Sequence, residues 1–488
     1  MKKLKKEQII NIIIIIVYGV ITFFIMLNHE PWRDEAQAWL IARDISLFDI
    51  FNYMKYEGHP CLWHLLLMLF AKLNFPYLTI NIISWMIMLL SAILVIYKSP
   101  FNKMTKICVL LSSPFLYYYI AISRVYTLIA FLVILLAIVY EKKEEKPCLY
   151  GFLLLLLANT HVIMLGLVGV LILDFYVKNI IKYLKNNELK KHKKLLTGFV
   201  ISVLGIILLI LQLMKSISTN GEVQIYKSNY IVLIIQYINQ YINLFLGYGE
   251  GNISNVLFIL ILMILFIVLI YCQIKNFKKH SNSIIIFYTS IIFQFAVYVI
   301  VYQYNNEAFL TAYFIALFCI WIVAYKKDSK NIFELLSLLI MILSIMTIMN
   351  STYMIMLDKK CNYSSSKEMA KYINENIEKG TVFIAPIDYS VSAIIPYCKD
   401  YLFYCPQKQE YFTYVKWDLK RKKELNYDQF EEIIEDLKND KNVYIICPKE
   451  KLNDFIEKML KNNEIKEVYQ TSYSFISDES YYLFELNN

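Results

Sequence analysis

The stretch NHEPWRDEAQAWLIARD, Asn28 to Asp44, sets Arg33, Asp34 and Glu35 side by side just after a run that is almost all isoleucine. A carboxylate can take a proton from a hydroxyl, and a guanidinium can grip an anion. A second stretch, YEGHPCLWH, supplies Glu57, His59 and His64, with Gly58 and Pro60 marking a tight backbone before a helix start. Histidine at such a point can hydrogen-bond a phosphate or a sugar hydroxyl. Arg124, in AISRVYTL, is the only charge between two apolar runs and has Tyr126 beside it. Its planar fork suits a phosphate. His161, in ANTHVIML, joins the set.

Each of these residues also has a plain structural reading. Asp34 follows Pro31, Trp32 and Arg33 and precedes a helical run, with Gln37 three residues on, like a capping box. Arg33 and Glu35 would then be a solvated first turn, with the tryptophans as interface anchors. Cap and chemistry are compatible, because a cap holds a carboxylate rigidly. His64 could anchor an interfacial helix, Arg124 could snorkel to the membrane surface, and His161 could be a polar turn. A zinc site from Asp34, His59 and His161 is conceivable, but their spacing is non-specific and no metal is expected. Nine cysteines without a CxxC pair argue against structural zinc or thiol-redox chemistry, while Cys398 and Cys405 could pair.

The elements that must position these residues are membrane-spanning. The chain has 488 residues, 58% of them hydrophobic and 16% aromatic, which fits a polytopic membrane protein and excludes an ordinary soluble domain. Mean hydropathy is +0.47. The net charge of +9 sits in short lysine blocks between apolar runs, as in cytoplasmic loops, so nucleic acid is not the expected partner. Residues 1–7, MKKLKKE, precede an apolar run at 9–27 long enough to cross the bilayer, which predicts an uncleaved first helix with its N-terminus cytoplasmic.

Placing every basic block inside predicts eleven transmembrane helices, at 9–27, 77–97, 104–123, 125–140, 149–160, 162–177, 195–214, 254–273, 283–303, 308–325 and 332–357. The apolar stretches 61–75 and 229–247 must then return to the external side, as interfacial or re-entrant helices. The external face carries two large loops, 28–76 with two juxtamembrane helices and 215–252 with one. From 358 the texture changes to helices alternating with short apolar β-like runs at 381–386, 401–406, 442–448 and 481–486. That predicts a transmembrane domain over 1–357 and a small extracytoplasmic α/β domain over 358–488.

None of the eleven spans carries an ionisable side chain near its middle. Ion-coupled transporters keep such groups at membrane depth, so their absence counts against that class. Instead Arg33, Asp34, Glu35, His59, His64, Arg124, His161 and Glu307 all fall near external ends.

The acidic pair after the first span (WRDEAQAW), the His-Pro opening an apolar stretch (GHPCLWHLL) and the external Arg-x-Tyr (SRVY) resemble membrane glycosyltransferases of the C-type (GT-C) fold. The likeness is strongest to the family-39 branch of protein O-mannosyltransferases and aminoarabinose lipid A transferases, with GHPC standing where His-Pro-Pro is commoner. The resemblance implies a polyprenyl-phosphate-linked sugar donor and transfer to a glycan, lipid or protein acceptor at the external face of the cell membrane. It implies Asp34 as the catalytic acid position, Glu35 as its companion, and Arg124 as a contact to donor phosphate. Arg33, His59, His64, Tyr126 and His161 are expected to bind substrate, without a metal or other cofactor. Two alternatives stand beside it: a polymerase or ligase of lipid-linked glycans, and a non-enzymatic flippase or transporter.

Overall fold

The computed structural model describes residues 6–219, 230–246, 282–300, 306–326, 329–418, 420, 425–438, 442–452 and 454–487. Seven of its helices are long and apolar enough to cross a membrane: Lys6–Asn28, Thr79–Lys98, Val162–Lys185, Lys193–Met214, Asn282–Ile300, Asn306–Val323 and Lys330–Lys360. On the first, Ile13, Ile16, Val20 and Phe24 are exposed among the described residues, an apolar stripe of the kind a bilayer covers. Such helices point to a lipid bilayer as the surroundings of this chain.

Among the described residues the expected total of eleven is not reached. A bent pair, Lys103–Leu111 with Pro114–Ala121, makes an eighth if counted as one span. The fourth and fifth expected spans are shorter apolar helices, Tyr126–Tyr140 and Pro147–Ala158, and the expected span at 254–273 lies outside the described residues. The bend is 59° and sits at Pro114, whose ring and missing N–H break the helical ladder. Neighbours take up the freed groups. Ser113 donates its backbone N–H to Thr347 Oγ1 at 3.0 Å, and Tyr18 donates its hydroxyl to the Phe115 carbonyl at 2.7 Å. A break inside an apolar bundle survives only when its polar groups are satisfied this way. It also steers the chain into the turn that carries Arg124.

The bundle has two chemically distinct ends. At one, Lys143, Lys178 and Lys326 surround Asp174. At the other lies the first loop, folded as three helices rather than the two expected: Arg33–Asp44, Ile50–Glu57 and Leu62–Ala71. Gly58 ends the second of these at φ 71°, the left-handed region where glycine escapes a Cβ clash, and its N–H reaches the Met54 carbonyl at 3.1 Å. That turn hands His59 and Pro60 to the start of the next helix.

The long helix Lys330–Lys360 runs just past the expected boundary and leads into a six-stranded sheet. Its strands are β1 Val382–Ile384, β2 Leu402–Cys405, β3 Glu410–Tyr411, β4 Val443–Pro448, β5 Ile465–Gln470 and β6 Tyr481–Leu486, in the order β3-β2-β1-β4-β6-β5. β1 pairs in parallel with β2 and β4, and the remaining pairs are antiparallel. β3 and β5 were not expected. β5 alternates buried and charged residues too weakly to stand out, and β3 is only two residues long. Cys398 and Cys405 are both buried free thiols.

This α/β unit docks directly on the first loop. Glu30 accepts from the Lys367 N–H at 2.6 Å and the Ser366 hydroxyl at 3.1 Å, so a loop carboxylate caps helix Ser366–Asn376. Gln37 clamps one residue of the α/β unit: Val415 donates its N–H to Gln37 Oε1 at 2.9 Å, and Gln37 Nε2 donates to the Val415 carbonyl. The loop and the α/β unit therefore share one end of the bundle.

Candidate active site

The helix Arg33–Asp44 begins two residues earlier than a cap at Asp34 would require. Trp32 holds the N-cap position, and Glu35 reaches back to accept from the Trp32 N–H at 3.2 Å. Asp34 is thus inside the first turn and is not the cap. Its carboxylate is free to do something else.

It faces a small pocket. Asp34, Gln37, Glu57, His59, His64, Arg124 and His161 line this space, together with Pro60, Trp63 and Val125. These residues come from the first-loop helices, the turn before Tyr126–Tyr140, and the turn after Pro147–Ala158. The room left between them is ≈ 30 Å³, about that of one water.

At the rim, Arg124 Nη1 lies 3.0 Å from Asp34 Oδ2, with the side chains 18% and 34% exposed. The contact is an ion pair off the line of a hydrogen bond. Burial alone would lower the guanidinium's pKa, but Asp34 outweighs it and the net shift is upward, so Arg124 is a fixed cation. It lies over the rings of Tyr126 and Trp32, at 5.5 and 6.0 Å from their centroids.

Behind the rim, aromatic rings form a column. Tyr126 and His161 stack at 5.8 Å, His161 and His59 lie 6.4 Å apart, and His59 and His64 stack at 5.7 Å. Burial, with Arg124 next in weight, lowers the pKa of His59 to about 4. Burial and then His59 lower His64 to about 3, and burial followed by His59 lowers His161 as well. All three imidazoles are neutral at physiological pH. His64 is 1% exposed, yet neither of its ring nitrogens has a partner among the described residues. Two unpaired polar atoms in so buried a place cost stability, unless something that enters the pocket binds them.

Three of the expected residues lie outside this lining. Tyr126 stacks on His161 and lies under the Arg124 guanidinium. Arg33 turns away to the α/β unit, where Nη1 pairs with Asp478 and lies 3.6 Å from Glu479 Oε1. Burial pushes the Glu479 carboxyl up to about 8, against the pull of Arg33. Glu35 is fully buried behind the pocket. Its Oε1 accepts from the Ser123 N–H at 2.6 Å, and its Oε2 lies 3.4 Å from His29 Nε2.

His29 was not among the expected site residues. Its Nδ1 lies 3.0 Å from Asp358 Oδ2, which also accepts from the Tyr117 hydroxyl at 3.0 Å. Burial would lower its pKa, but Asp358 and then Glu35 outweigh this and raise it to about 10. His29 is therefore an imidazolium bridging two buried carboxylates. Proximity to Asp34 in the chain was the only available signal, since Asp358 is 329 positions away. Glu57, singled out with His59 and His64 in the sequence, lines the space, whereas Gln37 was read only as part of a capping box; Gln37 Nε2 donates to Glu57 Oε1 at 2.9 Å.

Among the described residues, no group of three or more His, Cys, Asp or Glu side chains is arranged to hold a metal ion. No protein-family model and no curated protein matches this sequence.

Proposed function

We propose that this chain is an integral-membrane glycosyltransferase of GT-C type. It transfers a sugar from a polyprenyl-phosphate donor to a glycan, lipid or protein acceptor at the extracytoplasmic face of the cell membrane. On this reading the N-terminus is cytoplasmic, the α/β domain is extracytoplasmic, and the full transmembrane domain has about eleven spans. The observation that carries it is the Asp34–Arg124 ion pair at the mouth of a pocket walled by three neutral histidines.

An inverting transfer needs a base for the acceptor hydroxyl and a cation for the charge that builds on the departing phosphate. Asp34 and Arg124 supply these two groups side by side. While they are paired, each masks the other. A donor phosphate competing for Arg124 would release Asp34 and widen the closed pocket, so the base becomes available only when the donor is bound. Neutral His59, His64 and His161 wall the space without adding charge, and His64, with both ring nitrogens unpartnered among the described residues, can donate and accept toward a sugar hydroxyl. Glu35 and His29 act as positioning residues, since Glu35 holds the Ser123–Arg124 turn from behind.

The test is Asp34→Asn in membranes supplied with candidate polyprenyl-phosphate sugars. Loss of transfer by a normally folded variant supports the reading; unchanged transfer sinks it.

A further inference from the structure

A second, larger pocket lies at the other end of the bundle. Helix Lys193–Thr219 connects the two. Its residue Gln212 accepts from the Cys61 N–H at 2.9 Å, beside the first-loop helices, whereas Lys193 and Lys194 line the second pocket. Nineteen residues of helix separate Lys193 from Gln212, roughly 28 Å at 1.5 Å per residue. The two pockets thus sit about one hydrocarbon thickness apart, at opposite ends of a helix apolar enough to span a membrane.

This second pocket has a volume of ≈ 460 Å³, within the range of small-molecule sites. Lys190, Lys191, Lys193 and Lys194 line it and outnumber its two acids, Glu144 and Glu145. Its floor is apolar, made by Pro147, Phe175 and Leu195. Lys193 and Lys194 occupy the first turn of a 27-residue helix, where the backbone dipole is positive and a cation is unfavourable. An anion there would relieve both.

The walls are braced. Tyr183 stacks on His192 with centroids 3.6 Å apart, the Tyr176 hydroxyl donates to the Pro147 carbonyl, and Cys148 Sγ reaches the Lys194 carbonyl at 3.4 Å. A Cβ on Gly151 would fall 2.2 Å from the Gly198 carbonyl oxygen, so only glycine lets these two helices approach so closely beside the pocket.

Around it, Leu149, Phe152, Leu173, Ile181 and Leu184 are exposed. Ile181 and Leu184 belong to Lys178–Lys185, an amphipathic segment with its lysines on the other side. The pocket therefore opens at headgroup level, next to surface that acyl chains would cover.

We propose that this pocket binds the headgroup of an anionic phospholipid in the leaflet opposite the candidate active site. The four lysines and the helix N-terminus hold its phosphate, the apolar floor takes the glycerol, and the chains lie on Leu149, Phe152 and Leu173.

The test titrates full-length protein in detergent micelles with dioleoyl-phosphatidylglycerol, dioleoyl-phosphatidylcholine or inorganic phosphate, and reads bound species by native mass spectrometry. Wild type should retain phosphatidylglycerol over phosphatidylcholine by about tenfold, since each lysine near a lipid phosphate contributes appreciably. A variant with K190Q, K191Q, K193Q and K194Q should lose that preference. A control with K98Q, K142Q, K182Q and K185Q, which changes exposed lysines outside the pocket lining, should keep it. Equal loss in both variants would mean diffuse charge attraction and would overturn the proposal. Displacement of the lipid by inorganic phosphate at comparable concentration would also overturn it, in favour of a soluble phosphate ligand.

Discussion

Asp34 and Glu35 are consecutive in one helical turn, and they hold consecutive residues of another segment from opposite sides. Asp34 Oδ2 lies 3.0 Å from the Arg124 guanidinium at the pocket rim, while Glu35 Oε1 accepts from the Ser123 N–H at 2.6 Å in the interior. One acid meets whatever enters the pocket. The other fixes the turn that presents the cation.

Asp34→Asn should therefore leave folding intact and remove transfer. The side chain is partly exposed and caps nothing, so thermal unfolding should change little. Loss of a general base lowers turnover by about 10²-fold or more. Measuring sugar transfer and melting temperature on the same preparation separates the two effects.

Glu35→Ala should do the reverse in order of cause. It strands the Ser123 N–H and leaves the His29 charge with one partner, a change that costs about 3–5 kcal/mol for buried ion pairs. Thermal unfolding in detergent should show a large drop, and activity should fall in step with the folded fraction.

The same bridge sets a pH dependence. The His29 pKa rises from its ordinary 6.5 to about 10, so its contribution is complete below about 6.5 and is lost as pH rises through about 10. Wild-type melting temperature should fall as pH rises from about 6.5 to about 10, whereas His29→Gln should start lower and show a flatter curve. Parallel curves would rule the bridge out as the cause.

His64→Leu is expected to stabilise the protein while impairing it. Each unpaired buried polar group costs about 1–3 kcal/mol, and leucine removes both ring nitrogens from a site only 1% exposed. Melting temperature should rise, and transfer or donor affinity should fall. A variant that gains stability with full activity would show that His64 touches no substrate.

Arg33→Ala should loosen the α/β unit without touching the pocket lining. Asp478 and the buried Glu479 would lose their shared cation. Hydrogen exchange should quicken at 477–479 and at the start of helix Ser366–Asn376, with exchange around His59 unchanged.

Much of the scaffold was legible because its signals are local. Apolar runs of spanning length at 9–27 and 332–357 stand out in composition, and both are long helices. The runs at 381–386, 401–406, 442–448 and 481–486 are rich in β-branched and aromatic residues, and each contains a strand: Val382–Ile384, Leu402–Cys405, Val443–Pro448 and Tyr481–Leu486. Pro114 is visible in the sequence, but its 59° bend is not, because a proline kinks a helix only as far as neighbours such as Thr347 can satisfy the freed groups.

The sequence by itself determined an apolar helical chain with a charged first loop and a separate α/β unit, since hydrophobicity, charge and periodicity act over a few residues. Only the tertiary structure decided what each charge in that loop does. Adjacent helical residues point about 100° apart, so Arg33, Asp34 and Glu35 diverge toward the α/β unit, the pocket and the interior. Their partners Asp478, Arg124 and Ser123 lie between 88 and 445 positions away. No local pattern encodes which of three neighbouring charges meets which of them, because that depends on how the helices pack.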